Sequence, residues 1–452
     1  MPKTLDRDRM ERLMQAEFAA FEHANPRSKG LWERAQGSML DGVPMNWMIK
    51  WAGSYPLFVE EARGARFTDV DGHEYVDFCL GDTGAMAGHG PEATIKAVER
   101  QLRRGITHML PTEDAIVAAD ELQRRFGMKW WQFTLTATDA NRFAIRLARH
   151  ITGRSKVLVH NHCYHGSVDE TFATLLPDGS VGPRRGNIGK PVPLAETTRV
   201  VEFNDLEALE RELAHGDVAV ALFEPALTNV GIVLPDPGYH EAVRELTRKH
   251  GTLLVNDETH TICAGPGGFT GLHGLSPDIV TIGKTIGGGI PAGTYGFTEE
   301  VGERIRASIT WDDSDVGGIG GTLAGNALSL AAIRTTLTEV LTDDAFARMI
   351  PLAERFEAGV ADVLRRHDVP WHVTRLGARC EYHFMPELPR NGSDQAANDD
   401  SELARFLHLW AMNRGVLMTP FHNMALMSPA TSERDVDTHT EVFEAAVTAL
   451  FD

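Results

Sequence analysis

The sequence predicts an α/β protein with a large domain on a mostly parallel seven-stranded sheet and a smaller α+β domain assembled from both chain ends. Three observations carry this. From Trp130 to Phe297, seven short apolar runs alternate with helical patterns, the rhythm of a parallel sheet covered on both faces. A hairpin-like segment precedes that stretch and a shorter mixture of helices and strands follows it; the hairpin has too few residues for a core of its own. Finally, 452 residues at 42% apolar and 24% charged describe an ordinary folded chain, long enough for two or three packed units.

The elements follow in order. Met10, Leu13, Met14, Phe18 and Phe21 recur at helical spacing, so the chain opens with an amphipathic helix docked on another surface. Antiparallel sheet follows at Leu57 to Val59, Arg66 to Val70 and Tyr75 to Phe78, with Asp71-Gly72 as a hairpin turn. The large-domain strands fall at Trp130 to Phe133, Lys156 to Val159, Arg199 to Phe203, Val218 to Phe223, Thr252 to Val255, Ile279 to Ile282 and Thr294 to Phe297. Helices are expected from Asn326 to Thr338, near Leu352 to Arg365, and from Glu402 and Glu433, with strands near Trp371 to Thr374 and Cys380 to Phe384. Pro177 to Pro193 and Pro386 to Asp400 read as long loops. The domain boundaries expected are 1–85 for the arm and part of the small domain, 86–326 for the large domain and 327–452 for the rest of the small one.

Charge and cysteine usage narrow the function. With 63 Asp and Glu against 44 Lys and Arg, the net charge of −19 opposes a polyanionic partner, so nucleic acid is not expected. No run approaches the roughly 18 apolar residues of a membrane span, and the first twelve residues lack the apolar core of a secretory signal. The four cysteines, Cys79, Cys163, Cys263 and Cys380, lie far apart without a CxxC, which fits reduced thiols. A cytoplasmic protein with no membrane partner is the expectation.

An open α/β sheet presents ligands at its strand ends, so the residues after each strand matter most. Asn256-Asp257-Glu258 follows one strand, and Gly283-Lys284-Thr285 with Gly287-Gly288-Gly289 follows the next. The Gly-Lys-Thr triplet is not a phosphate-binding P-loop, because Asp278 stands where that motif needs its first glycine. Two readings of Lys284 remain: a surface lysine in a flexible turn, or a desolvated lysine forming a Schiff base with an aldehyde, opposite a carboxylate that holds a pyridinium proton. The second is the arrangement that pyridoxal phosphate chemistry requires.

Two further segments bear on that choice. Trp131 to Asp139 runs from a strand into a helix expected over Ala140 to His150, placing hydroxyls and free N–H groups at a helix N-terminus. This is either an anion site or a plain capping box. Tyr164 before Gly166 suits stacking on a flat heterocycle. His160, His162, Cys163 and His165 have ligand-like side chains, but strand alternation would split them between faces and no second His/Cys pair sits at zinc spacing, so no metal is expected. Asp257, Glu258, His260 and Cys263 are better explained as a strand-end carboxylate with neighbours packed beneath it.

Taken in order, Gly64-Ala65-Arg66, Asp69 to Gly72, Tyr164-His165-Gly166, Glu224-Pro225, Asn229-Val230-Gly231, Asp257-Glu258, Gly283-Lys284 and Gly321 to Asn326 make the chain resemble the class III, fold-type I aminotransferases that use pyridoxal 5'-phosphate. The likeness covers about residues 38 to 450 and is nearest the glutamate-1-semialdehyde aminomutase branch, with its amine, β-amino acid and D-phenylglycine aminotransferase relatives. The resemblance implies that Lys284 is the Schiff-base lysine and later the acid/base, and that Asp257 pairs with the pyridine nitrogen. It places Tyr164 on one ring face and Thr259 on the other, where many relatives have Val. It assigns the phosphate to Thr136, Ala137 and Thr138, joined by Thr322 of the partner subunit, and a surrounding hydrogen-bond network to Glu224 and Asn229. A shared phosphate site implies a homodimer.

Departures from the family pattern bear on the substrate. Relatives commonly read Ser-Gly-Thr-Glu where this chain has Thr136-Ala137-Thr138-Asp139, so the phosphate loop is narrower by a methyl group. Carboxylate-handling relatives carry an arginine near Val43-Pro44-Met45-Asn46-Trp47-Met48, where none stands here. An apolar wall desolvates a carboxylate without pairing it, which favours a hydrophobic or aromatic amine. Arg375 and Arg379 are candidates to compensate, against the alternative of charges on a strand edge. The expected activity is transfer of an amino group from an amine or amino acid to a keto acid or ketone; the alternative is an aminomutase of the glutamate-1-semialdehyde type, or a racemase.

Overall fold

Seven strands build the central sheet: β1 (Trp130–Thr134), β2 (Lys156–His160), β3 (Thr198–Val201), β4 (Val218–Phe223), β5 (Leu253–Asp257), β6 (Ile279–Ile282) and β7 (Gly293–Phe297). They were located in a computed structural model that describes residues 4–309 and 317–451. The spatial order is β1-β7-β6-β5-β4-β2-β3. Pairing is parallel from β6 through β3, and β7 runs antiparallel to both β6 and β1, as expected of a mostly parallel sheet. Every residue of β4, β5, β6 and β7 is buried, which is why these strands read as unbroken apolar runs rather than as alternating ones.

One face of the sheet packs against the helix Ala137–Thr152, whose Ala140, Phe143, Ala144, Ile145, Leu147 and Ala148 join Val157, Val220, Val255 and Ile279. The other face holds Leu158, Ala221, Phe223 and Leu254 against Leu209, Leu213, Tyr239 and Val243 of two further helices. Each fully buried Leu, Val or Phe contributes roughly 1.5–3 kcal/mol. Helix Ala137–Thr152 begins three residues earlier than the sequence suggests, because Thr136 is extended and its hydroxyl accepts from the Asp139 amide at 3.2 Å; Gly153, at φ +67°, ends it.

Contacts divide the chain into two units, one of Glu92–Phe346 and Pro389–Ala397, the other of Met1–Pro91, Ala347–Leu388 and Asn398–Asp452. The helix Ala327–Thr335 groups with the sheet-bearing unit, beyond the boundary at 326 suggested by the sequence. It packs on the helices Glu92–Leu102 and Glu113–Phe126, and Arg334 pairs with Asp114 at 2.8 Å.

In the second unit, Val59–Arg63, Arg66–Asp69 and Glu74–Asp77 form an antiparallel ribbon, and Val416–Leu417 pairs with its third strand in parallel. Both chain ends therefore share one sheet. A second sheet joins His372–Leu376, Arg379–His383 and Met424–Leu426. The first strand lies later than the expected Leu57 to Val59, because the turn at Gly64, φ +62°, closes directly onto Arg66. The N-terminal helix Arg7–Ala24 docks on Ser401–Met412 as its spacing implied. Phe21 is buried with Tyr55, Phe67, Tyr75, Leu409 and Met412, and Glu17 pairs with Arg414 at 2.9 Å.

Both stretches read as loops contain structure. Ala173–Leu175 pairs with Val181–Pro183 as a short hairpin, and Gly392–Ala396 forms a helical turn capped by Asn391. Their brevity, and glycines at Gly179 and Gly182, hide them from periodicity.

Candidate active site

The carboxyl ends of β5 and β6 organise the site. Asp257 pairs in register with Thr281, so the residues that follow leave the sheet side by side. Asp257 is almost wholly buried and is hydrogen-bonded three times: Asn141 Nδ2 donates to Oδ2 at 2.8 Å, His165 Nδ1 lies 2.9 Å from Oδ2, and the Thr259 amide donates to Oδ1 at 3.1 Å. Burial opposes its charge, but the bond and the charge of His165, aided by Thr259 and Asn141, outweigh burial and hold the carboxyl below its ordinary range. Burial likewise opposes charge on His165, and Cys163 together with Asp257 raises that imidazole well above its usual value.

The neighbouring carboxylates shift the opposite way. Burial dominates at Glu258 and pushes it up, although Thr261, Thr270 and the Phe269 amide bond to it. Burial also raises Glu224, which accepts from the amides of Tyr164 at 3.2 Å and Thr228 at 3.0 Å. Among these three buried acids, only Asp257 is held toward the charged form. That is the property needed to keep a proton on a heterocyclic nitrogen.

Lys284 follows β6 in a left-handed backbone conformation, φ +53°, between Gly283 and a turn that ends in Gly288 at φ +57°. Such a conformation costs a non-glycine residue about 1–3 kcal/mol and concentrates at functional sites. The lysine is half-buried, and its Nζ lies 2.8 Å from His260 Nε2. Gly283 also lies against the start of helix Ala137–Thr152, where a Cβ would stand 2.7 Å from the Ala137 amide nitrogen. Only glycine lets strand β6 approach that helix end so closely.

At that helix end, the amides of Ala137 and Thr138 are the first in the helix and have no carbonyl within it to bond. Thr138 Oγ1 accepts from the Ser167 amide at 3.0 Å, and Gly166 sits so near that a Cβ would overlap the same hydroxyl. Asn229 Nδ2 donates to the His162 carbonyl at 2.8 Å, and with Glu224 it fixes the turn that carries Tyr164. The Thr259 hydroxyl is buried without a hydrogen-bond partner among the described residues, a polar group left for something other than the protein.

The structure thus gathers Asp257, Thr259, Lys284, Glu224, Asn229, Tyr164 and the segment Thr136 to Thr138 around the strand ends of one unit. Thr322 stands apart on an exposed turn, and no hydrogen bond among the described residues ties it to the others. Arg375 and Arg379 are committed within the other unit. Arg375 lies partly exposed on His372–Leu376, the edge strand of its sheet, and bonds Glu357 at 2.9 Å, as the edge-charge alternative has it; Arg379 is fully buried with Glu381 at 3.2 Å and is not an edge charge.

Sequence reasoning missed His165, Asn141 and His260. In the sequence His165 reads only as a ligand-like side chain and as part of Tyr164-His165-Gly166, with no link to Asp257. Asn141 lies one turn into a helix with no local sign that it reaches β5. His260 was weighed only as a metal ligand, although its position three residues beyond Asp257 matches that of Lys284 beyond Thr281. The ligand-like histidines do divide: His160 turns to Tyr239 at 2.8 Å and stacks on Phe223, while His165 meets Asp257.

A buried charged carboxylate, a half-buried lysine just beyond the adjacent strand and the first amides of a helix define a site for a phosphorylated heterocyclic aldehyde. The family comparison agrees: residues 48–447 match the model of the class-III aminotransferases, and the chain belongs to that family. Its fold is the fold-type I fold of those enzymes. It is 31% identical over 420 residues to a glutamate-1-semialdehyde 2,1-aminomutase of Persephonella marina, covering 91% of this chain and 96% of that protein. It is 33% identical to the protein of that name in Chloroflexus aggregans, covering 93% and 97%. Among solved structures it superimposes with a TM-score of 0.97, at 50% identity over 99% of both chains, on a lysine-to-alanine variant of a glutamate-1-semialdehyde aminomutase from Pseudomonas aeruginosa in complex with PMP. An omega-transaminase from Sphaerobacter thermophilus aligns with a TM-score of 0.85 at 29% identity, covering 94% of this chain and 97% of that one.

Proposed function

We propose that this chain is a pyridoxal 5'-phosphate enzyme that exchanges amino and carbonyl groups within one small substrate, an aminomutase of the glutamate-1-semialdehyde type. The observation that carries the cofactor is the buried, charge-retaining Asp257 at the end of β5, whose ladder partner Thr281 on β6 lies three residues before Lys284. The aminomutases of similar sequence over nearly the whole chain favour transfer within a molecule over transfer between molecules, which the sequence alone had ranked first.

Bound here, pyridoxal phosphate supplies an aldehyde that captures amines and a pyridine ring that takes up electron density from the substrate carbon. Asp257 holds a proton on the ring nitrogen. His165 and Asn141 keep that carboxylate charged and pointed. The amides of Ala137 and Thr138 and the hydroxyls of Thr136 and Thr138 bind the phosphate, and Gly283 leaves room for it. Tyr164 and Thr259 cover the two ring faces, with the unpartnered Thr259 hydroxyl available to a polar edge. Glu224 and Asn229 hold the Tyr164 turn in place, and Lys284 Nζ moves the proton at the reacting carbon. Thr322 of the partner subunit completes the phosphate site, making a homodimer the working unit.

Intermolecular transfer from a hydrophobic amine is the second reading, favoured by one observation. The segment Val43 to Met48 carries no arginine and sets Trp47 edge-on to Phe421 at 5.8 Å, an aromatic surface whose cation is Lys50, 5.1 Å from the Phe421 ring centroid, a point charge rather than a bidentate clamp for a carboxylate. One assay separates the two. The holoenzyme is given glutamate-1-semialdehyde alone, then an aromatic amine with a keto acid. Isomerisation with no second substrate supports the mutase. Turnover only with the amine and keto acid together overturns it in favour of transamination.

A further inference from the structure

We propose that His260 is a positioning residue for the catalytic lysine, an acceptor on which the Lys284 amino group rests whenever it is not bonded to the cofactor. The inference rests on the assignment of Lys284 above and adds a residue that assignment does not include.

The geometry comes from strand pairing. Asp257 and Thr281 are partners in the parallel ladder of β5 and β6, and His260 and Lys284 each lie three residues further on. The chain leaves β5 through His260, at φ −104° and ψ −37°, into a short 3-10 turn over Thr261–Ala264; it leaves β6 through Lys284 into another over Lys284–Gly287. Equal offsets from a paired register bring the two side chains together, and Nζ stands 2.8 Å from Nε2. That is hydrogen-bond distance for a nitrogen pair.

Only one proton fits between the two nitrogens, and two cations at this distance would repel. In the arrangement proposed, an ammonium donates to a neutral imidazole, with Nε2 accepting. Such an acceptor engages the amino group without adding charge of its own. It also limits the freedom of a long side chain that must be ready when the substrate amine displaces it, since a flexible lysine loses considerable rotamer entropy each time it is brought to the reacting carbon. Titratable groups at this end of the sheet include Asp257 at the end of β5, Glu258 and Cys263 just after it, Cys163, Tyr164 and His165 beyond β2, and Glu224 beyond β4.

The test compares His260→Gln, which keeps an acceptor, with His260→Phe, which does not. Full-length protein freed of pyridoxal phosphate is acetylated across a pH series, and modification of Lys284 is read by mass spectrometry against the exposed Lys96 and Lys249 as internal standards. A thermal melt confirms that each variant is folded. The expected result is that Lys284 is acetylated severalfold faster relative to those standards in the Phe variant, because its amino group has lost the partner that engages it, with the Gln variant close to wild type. In the holoenzyme, kcat should fall about tenfold in the Phe variant with KM little changed, and the Gln variant should recover most of it. Superimposable curves for all three proteins would overturn the proposal, as would a Gln variant acetylated as fast as the Phe variant. Slower acetylation of Lys284 in the Phe variant would overturn it too. Because the labelling reads Lys284 without cofactor or substrate, its failure is distinguishable from a failure of the aminomutase assay.

Discussion

His165 Nδ1 lies 2.9 Å from Asp257 Oδ2, with both side chains withdrawn from solvent. A buried carboxylate would ordinarily give up its charge. Here the imidazole keeps it, and the charge retained on Asp257 is what a ring nitrogen opposite would need. Replacing His165 by Phe should let the Asp257 pKa rise and reduce turnover at least tenfold while leaving a folded protein. Asp257→Ala should be worse, because it leaves His165 buried and unpaired; breaking such a pair costs about 3–5 kcal/mol of stability. Urea unfolding and steady-state rates on both variants check this.

Lys284→Ala should fold, and a small stabilisation is not expected, because alanine inherits the same left-handed backbone at φ +53°. Lys284→Gly relieves that strain and should unfold at a slightly higher temperature than Lys284→Ala, by roughly 1 kcal/mol in free energy. Both should be inactive. Measurable turnover in either would remove the lysine from the mechanism.

Gly283→Ala should weaken cofactor binding with little loss of secondary structure. The added methyl would meet the Ala137 amide nitrogen at 2.7 Å and its Cβ at 2.8 Å, pushing β6 away from the helix start that holds the phosphate. Titration of the cofactor-free variant with pyridoxal phosphate should give a Kd at least tenfold higher than wild type.

Stability should fall on mild acidification. His439 is buried among Phe356 and Phe443, and burial takes its pKa from the ordinary 6.5 to about 3. Between those values the unfolded chain binds a proton that the folded one refuses. His439 therefore weakens the fold progressively as pH falls from 6.5 toward 3, by up to roughly 4 kcal/mol, and has no such effect above 6.5. His240, His383 and His408, each lowered by burial to about 4, act in the same direction. Urea midpoints measured from pH 7.5 to 4.5 should drop steeply, and less steeply in His439→Phe.

If Thr322 of the partner subunit completes each phosphate site, Thr322→Ala and Lys284→Ala should complement. Mixed after mild dissociation, two proteins of low activity should regain turnover through hybrid dimers with one intact site. A mixture no more active than its parents would mean that each chain holds its phosphate alone.

The large sheet was legible because its central strands are buried on both faces and so announce themselves as apolar runs; Asp257 and Lys284 stand out by following such runs, while their roles come from the family resemblance. The short hairpin around Gly179 and the helical turn at Gly392–Ala396 were not, since a few residues carry no period. What escaped at the site were contacts between distant segments. Nothing near Asn141 in the sequence says that its side chain reaches Asp257, and nothing near His260 says that it meets Lys284. Those relations exist only once strand register has been set.

The register of β5 against β6 also carries a rule of counting. Two exit segments of equal length, Glu258 to His260 and Ile282 to Lys284, act as matched rulers measured from Asp257 and Thr281. A residue inserted into one would carry its histidine or lysine past the other, while the same insertion made in both would keep them level. The length of these two exits is thus constrained jointly, one against the other.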